Sequence, residues 1–464
     1  MPADTHYCLK SKDLPLVDFV LHAEETTWRN LNYIDYTVEI QNIHKENAHL
    51  MPPNLPEHFG SDDLMRWLQF RKAPNNRVFV QELMELLYEH DNPLAYSNIT
   101  HALSLNDAYW VENKALPLKW DDINLYEHSF DELLACVAFT GAAVGAHKLR
   151  DPIVSPEYTT NGVLAKCWIN ENGGIFLIKT DNVPLSKGVI TQAHNEFYAA
   201  QIAEALGLKH INYELEIYRH KNQVDDKEYL VCKCPLFTTK DVGFIDADTY
   251  FHSKGIKVSS GMSTFKKHIQ LAEAFGEDHY ADIMLFDSII GNIDRHVGNF
   301  GMLRDNNTGK IIGPAPIFDS GMSFFVGHEE NKIDEKFAQE FGKDSRRCTN
   351  FSQDAQAAFF VRAHHVEKLK KLLNFKFRQP KDPRCALKEN TIRAMEYFVR
   401  SRASRTLHLY HAREAGEIVF LGEDIILKNE SVQQGQEHKE SQATKQNLNT
   451  SWKSRRARRN TWEL

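Results

Sequence analysis

Asn292-Ile293-Asp294-Arg295-His296-Val297-Gly298-Asn299-Phe300-Gly301 is the most informative stretch of this 464-residue chain. It follows an apolar run at helical spacing, residues 283–290, and Gly291, so it is expected on a loop. Met302-Leu303 is a short strand candidate, a turn is expected at 305–309, and Ile311-Ile312 leads into Pro316-Ile317-Phe318-Asp319-Ser320-Gly321. Two carboxylates and an amide, Asp294, Asp319 and Asn299, are thus expected on loops around a β-hairpin.

Groups of this kind suit phosphoryl transfer. A nucleotide-bound magnesium wants hard oxygen ligands from carboxylate or amide side chains, and a further carboxylate must orient an acceptor hydroxyl and take its proton. In protein kinases the base Asp precedes a metal-binding Asn by five positions, and a second metal-binding Asp stands on a later Asp-x-Gly turn. Asp294 and Asn299 have that spacing, and Asp319-Ser320-Gly321 supplies the later turn. Upstream, Lys179 ends the strand-like run 174–178, where its ammonium would reach phosphates. Glu196 follows in a helical run, placed to hold that lysine. Alone, Lys179 reads as a solvent charge at a strand end and Glu196 as part of a polar helix face; the downstream motif gives the pair its second meaning. Thr160, Asn161 and Gly162 form either a phosphate-covering loop, with hydroxyl and backbone N–H groups as donors, or an ordinary β-turn. Cys232, Lys233 and Cys234 leave the last strand of the first lobe, where an adenine ring would pair with backbone between two lobes. Both cysteines read there as small apolar residues.

Outward from these motifs, strand signals at 163–169, 174–179, 214–218 and 229–232 surround a helical run at 191–206 that Gly207 closes. After Pro235 the pattern is mainly helical, at 265–275, 279–290, 366–375 and 391–411. Strands first and helices later predict an α+β fold, with a small sheet-containing lobe over about 150–233 and a larger helical lobe over about 234–425. Residues 1–145 are expected to form a mainly helical accessory region, from the helical spacing at 62–70 and at 77–90 (Val80, Leu83, Leu86, Leu87), with Ser61 and Asp62 as helix caps. This region carries no catalytic constellation. Residues 429–464 are polar and expected to be disordered. They end in Lys453-Ser454-Arg455-Arg456-Ala457-Arg458-Arg459, either a solvated tail or a contact for an anionic surface or targeting receptor.

The net charge of -8 disfavours nucleic acid as the main partner, apart from that basic tail. No apolar run reaches 18 residues, so no membrane span is expected, and residues 1–10 do not read as a secretory signal. Seven scattered cysteines make no disulfide framework, and the Cys232/Cys234 pair has no second pair to complete a zinc site. Reduced thiols in the cytoplasm are the expectation.

Asn-x-Asp-Arg-His-x-x-Asn at 292–299 and Phe-Asp-x-Gly at 318–321 resemble the HipA-like kinase family, and Thr-x-Gly at 160–162, Ile-Lys at 178–179 and Glu196 fit the same pattern in order. The resemblance covers roughly residues 150–400, and residues 150–425 are taken as the domain. It implies a two-lobed protein-kinase-like fold, ATP and Mg2+ as cofactors, and serine or threonine phosphorylation of a protein substrate. By motif it implies Asp294 as catalytic base, Asn299 and Asp319 as magnesium ligands, and Lys179 on the phosphates. Asn292, Arg295 and His296 complete the catalytic motif, with Arg295 and His296 read as organisers of the loop. Family members also phosphorylate themselves near the phosphate loop, where this chain offers Ser155, Thr159 and Thr160. The first 145 residues show no likeness to the N-terminal subdomain of HipA, and no helix-turn-helix partner domain is visible. A nucleotide-binding pseudokinase or interaction module and a lipid or small-molecule kinase remain alternatives; the undegraded motif ranks the active protein kinase first.

Overall fold

Period-two alternation, not helical spacing, governs the first 43 residues. Tyr7 and Leu9 on β1 (Thr5–Ser11), Val17, Phe19 and Leu21 on β2 (Leu14–Trp28) and Val38 on β3 (Leu31–Ile43) bury their side chains in one apolar core. After several helices, β4 (Tyr109–Asn113) returns beside β1 and completes an antiparallel sheet in the order β3-β2-β1-β4. The expectation of a mainly helical N-terminal region is therefore corrected. The helical spacing at 62–70 is real, as the helix Ser61–Phe70, but among its described residues the run at 77–90 holds only the short helix Val80–Glu85. Capping differs too: the N-cap is Gly60, whose N–H donates to Asp63 Oδ2 at 2.9 Å, while the Ser61 hydroxyl accepts from the Ile40 N–H of β3.

This computed structural model describes residues 4–28, 31–88, 92–258, 265–343, 351–421 and 424–428. The basic tail expected to be disordered, 429–464, lies outside the described residues.

A second antiparallel sheet is built from β5 (Ala165–Glu171), β6 (Gly174–Thr180), β7 (Glu214–Tyr218) and β8 (Tyr229–Pro235), in the order β5-β6-β8-β7. Its register sets Lys166 opposite Lys179 and Lys179 opposite Cys232. The helix Gln192–Ala205 starts at Thr191, whose hydroxyl accepts from the His194 N–H, and ends before Gly207 at φ +62°, the left-handed position a helix C-terminus favours for glycine. A third sheet, β9 (Val242–Asp246), β10 (Gly301–Asp305) and β11 (Ile311–Pro314), contains the expected hairpin, with β9 pairing on the far side of β10. Helices Phe265–Phe275, Glu277–Ile290, Ala363–Leu372 and Glu389–Glu414 close a large core through residues such as Leu271, Phe286, Leu369 and Met395. The chain is thus α+β, with several small sheets and a helical remainder. No described helix is long and apolar enough to cross a membrane. The six described cysteines are buried and unpaired.

Candidate active site

The loop after the helix Glu277–Ile290 is organised by a charge below it. Asp287, on the last turn of that helix, is fully buried. It accepts from Arg295 Nε at 3.0 Å and Nη2 at 3.1 Å and from Asn292 Nδ2 at 2.9 Å. Arg295 spends its remaining donors on the carbonyls of Asn299 (2.8 Å) and Phe318 (2.5 Å) and on Ser320 Oγ (3.1 Å). One buried guanidinium therefore ties the helix end, the loop 292–299 and the turn 318–320 together. Asn292 Oδ1 accepts the Asp294 N–H at 3.1 Å, and Asn299 Nδ2 donates to the Asp294 carbonyl at 3.0 Å. Arg295 braces the loop through these bonds, and Asn292 shares that position below it. His296 is exposed, and its Nδ1 accepts the Gly298 N–H at 3.1 Å.

A second cluster forms around Lys179. Its ammonium donates to Glu196 Oε1 and, at 2.9 Å, to Asp319 Oδ1. Glu196 Oε2 accepts the Ser320 N–H at 2.9 Å, so the helix Gln192–Ala205 grips both the lysine and the turn. Asp319 itself sits at φ +56°, a left-handed conformation uncommon outside glycine. Burial works against the Lys179 charge, but the carboxylates of Asp319 and Glu196 outweigh it and hold its pKa well above the ordinary value. Burial likewise opposes ionisation of Asp319, and Lys179, Lys166 and Arg295 overcome it, so Asp319 titrates below the usual carboxylate range. For Lys166, burial and repulsion from Lys179 outweigh the attraction of Asp319 and lower its pKa to about 7.

These clusters open on one cavity of about 730 Å³, within the range of small-molecule sites. Lys179, Asp294, His296, Asn299 and Asp319 line it together, as do Thr160, Asn161, Gly162 and Cys234. Glu196, Asn292 and Arg295 stand behind the wall. Of Cys232, Lys233 and Cys234, only Cys234 lines the cavity. β8 is extended through 232–234, so Cys232 and Cys234 share one face and Lys233 takes the other. Cys232 packs in the same apolar cluster as Cys234 without reaching the cavity. Lys233 turns away to Glu171 and over the Phe176 ring. Burial raises the Cys234 thiol to about 12, so it stays neutral, as an apolar lining residue should.

The phosphate-loop candidate connects a short 3-10 turn, Glu157–Thr159, to β5. Gly162 has φ +94°, a conformation that favours glycine, and a Cβ there would stand 2.3 Å from Lys166 Nζ and displace that ammonium. The Thr160 hydroxyl donates to the Pro156 carbonyl at 2.8 Å and accepts from Trp168 Nε1 at 3.0 Å, which leaves Asn161 and Gly162 as the loop's exposed part. Ser155, Thr159 and Thr160 are all buried, so modification of any of them requires the segment to open.

Several lining residues were not anticipated. Lys166 faces the cavity from β5, and only the strand register, which pairs it with Lys179, brings the two ammonium groups together. Trp67, Arg71 and Asp107 come from the N-terminal region. As to metal, Asn299 commits its Nδ2 to a carbonyl, which leaves its amide oxygen to serve as a ligand in the cavity that the Asp319 carboxylate also lines. Hard oxygens of this kind suit Mg2+. Another group of potential ligands, Asp282, His364 and His365, lies outside this cavity. There His365 Nδ1 accepts the Arg362 N–H at 2.9 Å and Nε2 meets Asp282 at 2.7 Å, an arrangement that caps a helix.

Comparison with known proteins places a family on part of this chain. Residues 158–382 match the family model of the HipA-like C-terminal domain. A curated relative, the serine/threonine-protein kinase CtkA of Helicobacter pylori (strain J99 / ATCC 700824), is 25% identical over 195 residues, 39% of this chain and 56% of the relative. The chain thus spans little more than half the length of that relative. Among solved structures, the Helicobacter pylori proinflammatory kinase CtkA aligns with TM-score 0.36 at 18% identity, covering 54% of this chain and 94% of the other. HipA of Shewanella oneidensis MR-1, in complex with HipB and operator DNA, aligns with TM-score 0.47 at 14% identity, covering 89% and 100%.

Proposed function

We propose, from the match of residues 158–382 to the HipA-like C-terminal domain, that this chain is an ATP- and magnesium-dependent serine/threonine protein kinase. The observation that carries the reading is the Lys179–Glu196–Asp319 cluster opening on the same cavity as Asp294 and Asn299. The domain is read over 150–425, its small lobe over about 150–233 and its large lobe over about 234–425, with residues 1–145 as an accessory region.

Lys179 binds the nucleotide phosphates and is kept charged and oriented by its carboxylate partners. Asn299 and Asp319 hold magnesium, which when bound neutralises charge on the phosphates. Asp294 orients the acceptor hydroxyl and takes its proton as the oxygen bonds to the γ-phosphorus and ADP leaves. Arg295 and Asn292 act through the loop they brace. The purine lies against Leu177, Ile211 and the segment from Cys234 to Leu236. The acceptor is a protein side chain, with the chain's own loop threonines as candidates for self-phosphorylation.

The test is incubation with Mg-ATP followed by intact mass, beside Asp294→Asn. A gain of about 80 Da per phosphoryl group on the chain or a co-incubated protein substrate, absent in the variant, is the expected result. Asp294→Asn should still bind Mg-ATP within about threefold, since the base contributes to transfer and not to nucleotide affinity. Transfer by the variant at the wild-type rate would sink the assignment.

A further inference from the structure

The region before residue 145 makes its most concentrated contact with the site through one side chain. Arg77 precedes the helix Val80–Glu85 and is fully buried, as is Glu157. Its Nη2 donates to Glu157 Oε2 at 3.0 Å and to the Lys166 carbonyl at 2.9 Å. Its Nη1 donates to the Glu157 carbonyl at 2.7 Å and to the Thr160 carbonyl at 3.3 Å. Glu157 Oε1 in turn accepts the Trp168 N–H at 2.8 Å. One guanidinium therefore holds both ends of the segment that carries Gly162 and Lys166 to the cavity. Backbone bonds from the same region run alongside: Ala73 N–H to the Tyr158 carbonyl at 2.6 Å and Val78 N–H to the Val163 carbonyl at 2.9 Å.

We propose that Arg77 is a positioning residue for nucleotide binding: it fixes the segment 157–166 so that Lys166 and Gly162 face the phosphates, which makes the N-terminal region part of the nucleotide site. The proposal rests on the kinase reading above. Adhesion alone does not explain the arrangement. A buried ion pair is a poor source of stability compared with well-packed apolar residues. What the guanidinium adds is a rigid fork of directed bonds, which neither an apolar residue nor a lysine reproduces. The bonds converge on the backbone of a segment whose placement decides where Lys166 stands. Lys166 Nζ reaches the Asn161 carbonyl at 2.9 Å, so the bracket and the lysine close on the same loop from opposite sides.

Two full-length variants test this. Arg77→Lys keeps a cation beside Glu157 and loses the fork. Arg77→Met with Glu157→Gln removes both buried charges and keeps an acceptor for the Trp168 N–H, so it folds even if the single variant does not. Amide hydrogen exchange over 157–166 is measured without nucleotide, and Mg-ATP affinity and turnover are measured beside it. The expected result is a cooperative melt, faster exchange confined to that segment, and an Mg-ATP Kd raised about tenfold with kcat at saturating ATP retained, as a misplaced binding group should give. Unchanged exchange over 157–166 would overturn the proposal. So would wild-type Mg-ATP affinity in a double variant that melts cooperatively, because the pair would then serve the fold alone. Failure of the wild-type chain to bind Mg-ATP strikes at the kinase reading instead, and the exchange measurement still decides whether Arg77 holds the segment.

Discussion

At the scale of single residues, the site is a balance of buried charges. Lys166 is half-titrated near neutrality before nucleotide arrives, because burial and Lys179 both disfavour its ammonium. Anionic phosphates favour the protonated form. Nucleotide affinity should therefore be highest below pH 7 and fall as pH rises through it. From pH 6.5 to 8.5 the loss should be about tenfold or more, measured by calorimetry and compared with Lys166→Arg, which should show a flatter profile. Asp319→Ala removes the proposed magnesium ligand and the second carboxylate on Lys179, so Mg-ATP binding should weaken by about tenfold or more; unchanged affinity would count against that role. The proximity of the motif residues was legible: Asp294, Asn299 and Asp319, singled out by spacing, and Lys179, by order, all line one cavity, with Glu196 behind it. The side chains of Cys232 and Lys233 do not reach that cavity: Lys233 takes the strand face opposite Cys234, and Cys232, on the same face as Cys234, is enclosed in the apolar cluster.

At the scale of elements, the loop 292–299 is only as well placed as the helix end beneath it. Asp287 appears in no motif, yet it is the carboxylate that Arg295 needs. Asp287→Asn should cost about 3 kcal/mol, because it leaves a buried guanidinium without its counter-charge. Urea denaturation measures this, and a cost below about 1 kcal/mol would mean that the carbonyl acceptors suffice. Gly162→Ala should perturb the loop locally, since the alanine methyl must displace Lys166 Nζ and adopt an unfavourable φ. Its expected signature is weaker Mg-ATP binding with little change in melting temperature. The helices were read from sequence to within a few residues where the apolar spacing was long, as at 265–275 and 191–206. The N-terminal strands were not, although Tyr7/Leu9 and Val17/Phe19/Leu21 carry a clean period-two signal.

At the scale of the molecule, the N-terminal region and the remainder of the chain share one cavity and several buried bonds. Arg304 on β10 donates to the carbonyls of His49 (3.1 Å) and Met51 (3.2 Å) and to the Tyr109 hydroxyl. Phe244 N–H on β9 reaches the Asn106 carbonyl at 2.7 Å. Arg304→Ala takes this donor from the His49 and Met51 carbonyls and should cost about 2–3 kcal/mol. Unfolding by urea should then separate into two transitions as the N-terminal region releases first; a single unshifted transition would show that other contacts dominate. Sequence alone determined the α+β class and the motif residues of the site, because spacing along a loop and polarity along a helix are local properties that survive in any chain bearing them. Only the tertiary structure decided that Lys166 opposes Lys179, that Asp287 underlies Arg295, and that Arg77 reaches across to Glu157. The first pairing depends on strand register, the second on how the loop folds back under the helix end, and the third on packing between segments 80 residues apart, none of which a local pattern encodes.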